Sequence, residues 1–179
     1  MKNQIEEETR SVVRIWTDGS TTPENPGPGG WAALLRDEEH EKVISGSTPW
    51  ASNIRMELLA VLRALQLLKR PAHVLIYTDS QYIIDGFRNI QHRDKMLKSH
   101  YDIWGLIIHY NQIHQIRLHK VKAHSGEEGN ELVDRAAKKA ARGQLGDIFI
   151  TESEKMMENL RVVQKRRREK SPWKYPKKN

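Results

Sequence analysis

No cysteine occurs anywhere in the 179-residue chain. Disulfides and thiolate zinc centres are thereby excluded, so any metal must be held by oxygen or by imidazole nitrogen. No apolar run approaches the ~20 residues needed to cross a membrane as a helix. The N-terminal stretch MKNQIEEETR has no apolar h-region and does not fit a signal peptide. Internal repeats are absent as well. These absences lead to the expectation of a soluble, intracellular, cytoplasmic monomer with no membrane partner.

Charge is present in quantity and unevenly placed. The net charge is +7, yet residues 161–179 hold nine basic side chains against one acid, a net of +8. The remainder is therefore close to neutral, at −1. A tail of this kind attracts polyanions, nucleic acid above all. The plainer alternative is a solvated end that aids solubility. The length suits one domain with an appendage.

Hydrophobic periodicity gives an outline of the elements. Residues 12–17 are apolar and β-branched and predict a strand. The segment TTPENPGPGG predicts a turn. Strands are expected over 31–36 and 42–47, close enough for an antiparallel meander. Residues 54–69 repeat apolar positions at helical spacing, with Ser52 or Asn53 as cap and Pro71 beyond the end. Residues 74–77 form a continuous apolar run, as in a central strand covered on both faces. Helices are expected over 81–87, 101–113 and 130–142, and a strand over 116–121. Gly143 to Gly146 reads as a hinge, and Thr151 with Glu154 opens a last helix. The order implies an α/β fold with a mixed sheet and helices on both sides. Its parts are a polar N-terminal segment (1–10), a domain (11–143), a linker (144–150) and a C-terminal helix with basic tail (151–179).

Four acids stand out against this outline. Asp18 and Asp79 close the similar phrases Thr17-Asp18-Gly19-Ser20 and Thr78-Asp79-Ser80-Gln81, each after an apolar run. Both therefore belong at strand ends, where open α/β sheets bind ligands. Glu57 opens a helix among Met56, Leu58 and Leu59, and Asp134 lies in an Ala-rich helix. Together they would form an all-oxygen pocket for hard divalent cations. Each also has an ordinary explanation. Asp-Gly-Ser is a turn phrase, Glu57 suits a helix dipole, and Asp134 can pair with Lys138 one helical turn on. His109, His114, His119 and His124 recur every five residues, which fits neither a helix face nor a strand face, so no zinc site is expected.

The phrases as a set resemble the type 1 ribonuclease H family. The resemblance rests on Asp18-Gly-Ser followed by Asn25-Pro-Gly-Pro-Gly-Gly, on Asn53-Ile-Arg-Met-Glu57-Leu, on Thr78-Asp79-Ser-Gln81-Tyr, and on His124-Ser-Gly-Glu-Glu-Gly-Asn130-Glu-Leu-Val-Asp134. It covers residues 11–143 and keeps all four acids in family order. It implies a five-stranded mixed sheet flanked by helices, and hydrolysis of the RNA strand of RNA–DNA hybrids to 5′-phosphate and 3′-hydroxyl ends. Two Mg²⁺ ions, replaceable by Mn²⁺ and roughly 4 Å apart, would be shared by Asp18, Glu57, Asp79 and Asp134. His124 would shuttle protons or aid product release, titrating near ~6.5 if unperturbed. Gly19, Asn25, Asn53, Arg55, Gln81 and Asn130 are the candidate substrate-binding residues. A hybrid's wide minor groove exposes the 2′-hydroxyls that separate RNA from DNA.

Two departures from the family pattern follow. Ile54 stands where cellular members often carry a second Asn. The segment between Asp79 and Trp104 is too short for the basic, Trp-rich insertion that grips the DNA strand in many members. Trp173 and Tyr175 among the tail's lysines would suit phosphate attraction and base stacking in its place. Two other assignments stay open: a ribonuclease H domain of a retroelement or viral replication assembly, and a non-catalytic nucleic-acid-binding module. An initial methionine and a tail of its own favour a stand-alone chain.

Overall fold

Residues 11–92, 99–122 and 126–143 are described in the computed structural model. The chain separates into two units, Met1–Leu145 and Gly146–Asn179, and all described residues lie in the first. The N-terminal segment, His124, the linker and the expected C-terminal helix and tail fall outside the described residues.

β1 (Val12–Thr21) runs down the middle of the sheet, with Val13, Ile15, Trp16 and Thr17 buried. β2 (Gly27–Arg36) and β3 (Glu41–Ala51) follow as antiparallel neighbours. The chain then crosses through α1 (Asn53–Gln66) to β4 (His73–Thr78), which lies parallel to β1. α2 (Gln81–His92) and α3 (Tyr101–Ile113) lead to β5 (Gln115–Lys120), parallel to β4. α4 (Glu128–Ala141) closes the described part. The sheet order is β3-β2-β1-β4-β5, a mixed sheet of five strands.

β2 begins inside the glycine- and proline-rich stretch that reads as a turn, so the turn is shorter than expected. The reason is close packing. A Cβ at Gly30 would collide with the backbone of Ala137 and Ala141 in α4, and one at Gly29 would meet the Met56 side chain 2.8 Å away. These glycines act as strand residues that let one helix approach each face of β2. β4 likewise extends one residue beyond its apolar run at each end and alternates, with Val74, Ile76 and Thr78 buried.

One face of the sheet is covered by α1, whose Met56, Leu58, Val61, Leu62 and Leu65 are fully buried. Each such side chain contributes roughly 1.5–3 kcal/mol of transfer free energy. On the other face Trp16, Ala32 and Leu34 pack against Val133 and Ala137 of α4. The small residues of α4 permit that close approach. Gly143, at φ +67, ends the helix, and its N–H donates to the Ala140 carbonyl. Ser52 is the cap of α1, its Oγ accepting from the Arg55 N–H at 3.2 Å.

Candidate active site

The parallel pairing of β1 with β4 sets the first two acids. Trp16 pairs with Tyr77, and continuing that register by two residues places Asp18 beside Asp79. Trp16 and Asp18 share a strand face by alternation, the face that α4 covers. Glu57 arrives from α1, on the opposite side. Its approach requires Gly19, because a Cβ there would collide with the Glu57 backbone nitrogen. Gly19 thus lets α1 carry Glu57 over the edge of the strand to meet the two aspartates.

Oxygen atoms of Asp18, Glu57 and Asp79 all lie within 4.8 Å of one another. The electrostatics of this trio are unfavourable. Burial, reinforced by the charges of Asp79 and Asp134, pushes the Asp18 carboxyl up to about 7. A backbone hydrogen bond from Gly19 and the nearby Lys138 ammonium oppose this rise without cancelling it. Glu57 is raised well above the usual carboxylate range, first by burial and then by Asp18 and Asp79. Its Oε2 is buried with no hydrogen-bond partner. A buried carboxylate oxygen without a donor is costly unless a cation or proton meets it. Three clustered carboxylates with one orphaned oxygen fit a hard divalent cation.

Asp134 stands close enough to Asp18 to raise its pKa, but is engaged otherwise. Its Oδ1 lies 2.7 Å from Lys138 Nζ, one helical turn along α4. Both the local pairing open to Asp134 and its nearness to the acid trio are therefore present. Asn130, one turn before Asp134, is buried at the start of α4. Just before the helix, Glu127 accepts a hydrogen bond from Trp16 Nε1 at 2.5 Å. His124 lies outside the described residues.

The remaining candidates occupy the rim. The Asn53 N–H donates to Asn25 Oδ1 at 3.0 Å, tying the loop after β1 to the start of α1. Arg55 is paired with Asp102 of α3 at 2.7 Å. Burial draws Asp102 upwards, but the hydrogen bond and charge of Arg55 outweigh it and hold the carboxyl below its ordinary value. Gln81 bridges two elements: Lys120 Nζ donates to its Oε1 at 2.6 Å, and its Nε2 donates to Asp85 at 2.9 Å. The partners Asp102, Lys120 and Glu127 carry no local signal in the sequence. Each lies 39 to 111 residues from the side chain it meets.

The fold defines a class: an α/β protein of the ribonuclease H-like kind, with carboxylates gathered where β4 ends beside β1; Asp18 lies inside β1, which runs on to Thr21 because its pairing with β2 continues, and not at the strand end that its phrase predicts. The RNase H family model matches residues 10–142. The ribonuclease H of Thermus thermophilus is 41% identical over 146 residues, covering 75% of this chain and 87% of that protein. Two solved structures share the fold. LC9-RNase H1, described as a type 1 RNase H with the type 2 active-site motif, superimposes with a TM-score of 0.66 at 24% identity, over 77% of this chain and 75% of that one. LC11-RNase H1, solved in complex with an RNA/DNA hybrid, gives 0.52 at 24% identity, over 72% and 98%. The chain belongs to the ribonuclease H family. It is an enzyme of that family, a metal-dependent endonuclease for RNA–DNA hybrids. No helix among the described residues is long and apolar enough to cross a membrane.

Proposed function

We propose that Asp18, Glu57, Asp79 and Asp134 hold Mg²⁺, with Mn²⁺ as a substitute, and that the chain cuts the RNA strand to leave 5′-phosphate and 3′-hydroxyl ends. The observation that carries this reading is the carboxylate trio, with Asp18 and Glu57 buried and Asp79 half-buried, and its unpartnered Glu57 oxygen. Bound divalent ions would supply Lewis-acid polarisation of the scissile phosphate and a more acidic attacking water. The chain's own groups prepare the site for that chemistry. Asp18 and Asp79 hold two carboxylates in strand-fixed positions, and Glu57 adds a third from the opposite side through the opening at Gly19. Lys138 balances part of the negative charge from Asp134, so the acids can crowd together without unfolding the strand ends.

Around this centre the reading assigns groove contacts to Gly19, Asn25, Asn53, Gln81 and Asn130. The hydrogen bond between Asn25 and Asn53 supports a rim fixed before substrate arrives, which lowers the ordering cost of binding. Arg55 is assigned to the groove or a nearby phosphate, and its ion pair with Asp102 ties α1 to α3 beside it. His124 serves proton transfer or product release, and the protein works as a monomer. The test compares a labelled RNA–DNA hybrid, duplex RNA and duplex DNA, each with Mg²⁺ and with EDTA. Cutting confined to the RNA strand of the hybrid and abolished by EDTA is expected. Similar cutting of all three, or cutting undiminished by EDTA, overturns the reading.

A further inference from the structure

The indole of Trp16 is held from several sides. Tyr77 stacks on it at 4.8 Å, and the Arg36 guanidinium lies over the ring 5.4 Å from its centre, itself paired with Glu41. The start of α4 rests on the same indole, because a Cβ at Gly129 would meet the ring 2.6 Å away. The Nε1–H then donates to Glu127 Oε1 at 2.5 Å. Glu127 occupies the cap position of α4, yet its carboxylate makes no capping bond to the helix. An acid placed there for the helix dipole alone would stay in water, as the exposed Glu128 does. Glu127 turns instead to a donor 111 residues away in the chain.

The same two elements carry two of the acids. Trp16 precedes Asp18 by two residues, on one face of β1. Glu127 precedes Asp134 by seven residues, about two helical turns, so both lie on one side of α4. Asp134 is near enough to Asp18 to raise its carboxyl. The Trp16–Glu127 bond and the approach of Asp134 to Asp18 are therefore neighbouring contacts between β1 and α4. Val133 and Ala137 also pack α4 onto the sheet. Apolar contact is non-directional, however, and leaves a helix free to turn or slide. A short hydrogen bond to a charged acceptor fixes direction as well as distance.

We propose that Glu127 is a positioning residue: anchored on the Trp16 indole, it sets the rotation and height of α4 and so holds Asp134 against Asp18 for the divalent ion. This rests on the metal reading above. Glu127 acts as a hydrogen-bond acceptor for the indole, not through its charge, and touches neither substrate nor metal. Its loss leaves a buried indole N–H without an acceptor, and α4 settles where Asp134 meets Asp18 less closely.

The test uses the full chain and its Glu127→Ala, Glu127→Gln and Trp16→Phe variants, with Ile107→Val in α3 as a destabilised control. Mn²⁺ affinity is followed by electron paramagnetic resonance with a hybrid present, and cleavage at sub-saturating Mg²⁺ gives kcat and KM. Glu127→Ala should bind Mn²⁺ roughly tenfold more weakly, the low end for losing a group that orients a metal ligand. Its kcat should fall in step, while KM for the hybrid stays within about twofold. Glu127→Gln keeps an acceptor oxygen and should restore most of the affinity. Trp16→Phe keeps a ring and removes the donor, so it should match Glu127→Ala, and the double variant should be no worse than either. Ile107→Val should melt at a lower temperature with wild-type Mn²⁺ affinity. Wild-type Mn²⁺ affinity in Glu127→Ala overturns the inference. Glu127→Gln as weak as Glu127→Ala also overturns it, assigning the role to the carboxylate's charge. Additive losses in the double variant, or a loss in Ile107→Val equal to that in Glu127→Ala, overturn it too. A wild type that binds no Mn²⁺ would overturn the reading of the acids instead.

Discussion

Replacing Asp18 by Asn should stabilise the metal-free protein while abolishing its activity. Asp18 is buried, and its carboxyl is pushed up from 3.8 to about 7 by burial and by the charges of Asp79 and Asp134. In the unfolded chain the carboxyl has its ordinary value. The folded state therefore binds the proton more tightly, and stability falls as pH rises from about 4 to about 7. At roughly 1.4 kcal/mol per unit, the three-unit rise amounts to about 4 kcal/mol above pH 7. Asn cannot ionise, so it escapes this loss, and it also relieves Glu57, which Asp18 pushes upwards. Allowing for an amide in a site shaped for a carboxylate, a gain of roughly 2–4 kcal/mol is expected at pH 8 in EDTA. At pH 5 the folded wild type is largely protonated at Asp18, and the gain should shrink by more than half. Saturating Mg²⁺ should also narrow it by stabilising the wild type more than the variant, by roughly 1.3–2.7 kcal/mol at a hundredfold excess over the wild-type Kd. Urea unfolding at the two pH values, with and without Mg²⁺, measures all of this. An equal difference at pH 5 and pH 8, or a destabilised variant at both, would refute the reasoning.

Asp79→Asn keeps the shape at the end of β4 and removes one charge from the cluster; activity should fall at least ~10²-fold with the fold intact, and near-normal turnover would remove Asp79 from the site. His114 is buried with neither ring nitrogen hydrogen-bonded, and burial lowers its pKa. The unfolded chain then takes up the proton first, so stability should be lost as pH falls below ~6.5. His114→Phe, which can keep the stacking on Tyr110, should reduce the acid sensitivity seen in urea unfolding, and an unchanged pH profile would contradict this. A chain ending at Leu145 should keep its cleavage chemistry at saturating substrate but bind hybrids more weakly and with a shallower salt slope, because the removed segment carries most of the excess positive charge. Equal affinity and equal slope at two salt concentrations would assign the tail another role.

The parts of the fold legible in the sequence were those governed by local rules. The helix over 101–113 is visible because its apolar positions repeat at 3.6 residues, and Ser52 is visible as a cap by its residue type. Asp79 follows the end of β4 as its phrase predicts, whereas β1 continues past Asp18 to Thr21 through its pairing with β2, which the phrase does not announce. The ion pair of Asp134 with Lys138 is legible for the same reason, since the two sit one turn apart. What stayed hidden depended on distant partners. Gly29 and Gly30 look like turn residues until Met56 and α4 are packed against them. The ion pair of Arg55 with Asp102 has no local signal either, since the two lie 47 residues apart. The expected strand over 42–47 extends to Glu41–Ala51, because its pairing with β2 continues to Gly27↔Ala51 across an irregularity that the residue pattern does not show. Burial of Asp18 and Glu57, which raises both carboxyls, is likewise a property of the assembled sheet and helices.

The central claim is that the clustered acids bind divalent metal. Titrating the wild type, Asp18→Asn and Asp79→Asn with Mn²⁺, and following free ion by electron paramagnetic resonance with a hybrid present, tests it directly. The account predicts saturable binding by the wild type and at least tenfold weaker binding by each variant. Equal binding by all three proteins would contradict it.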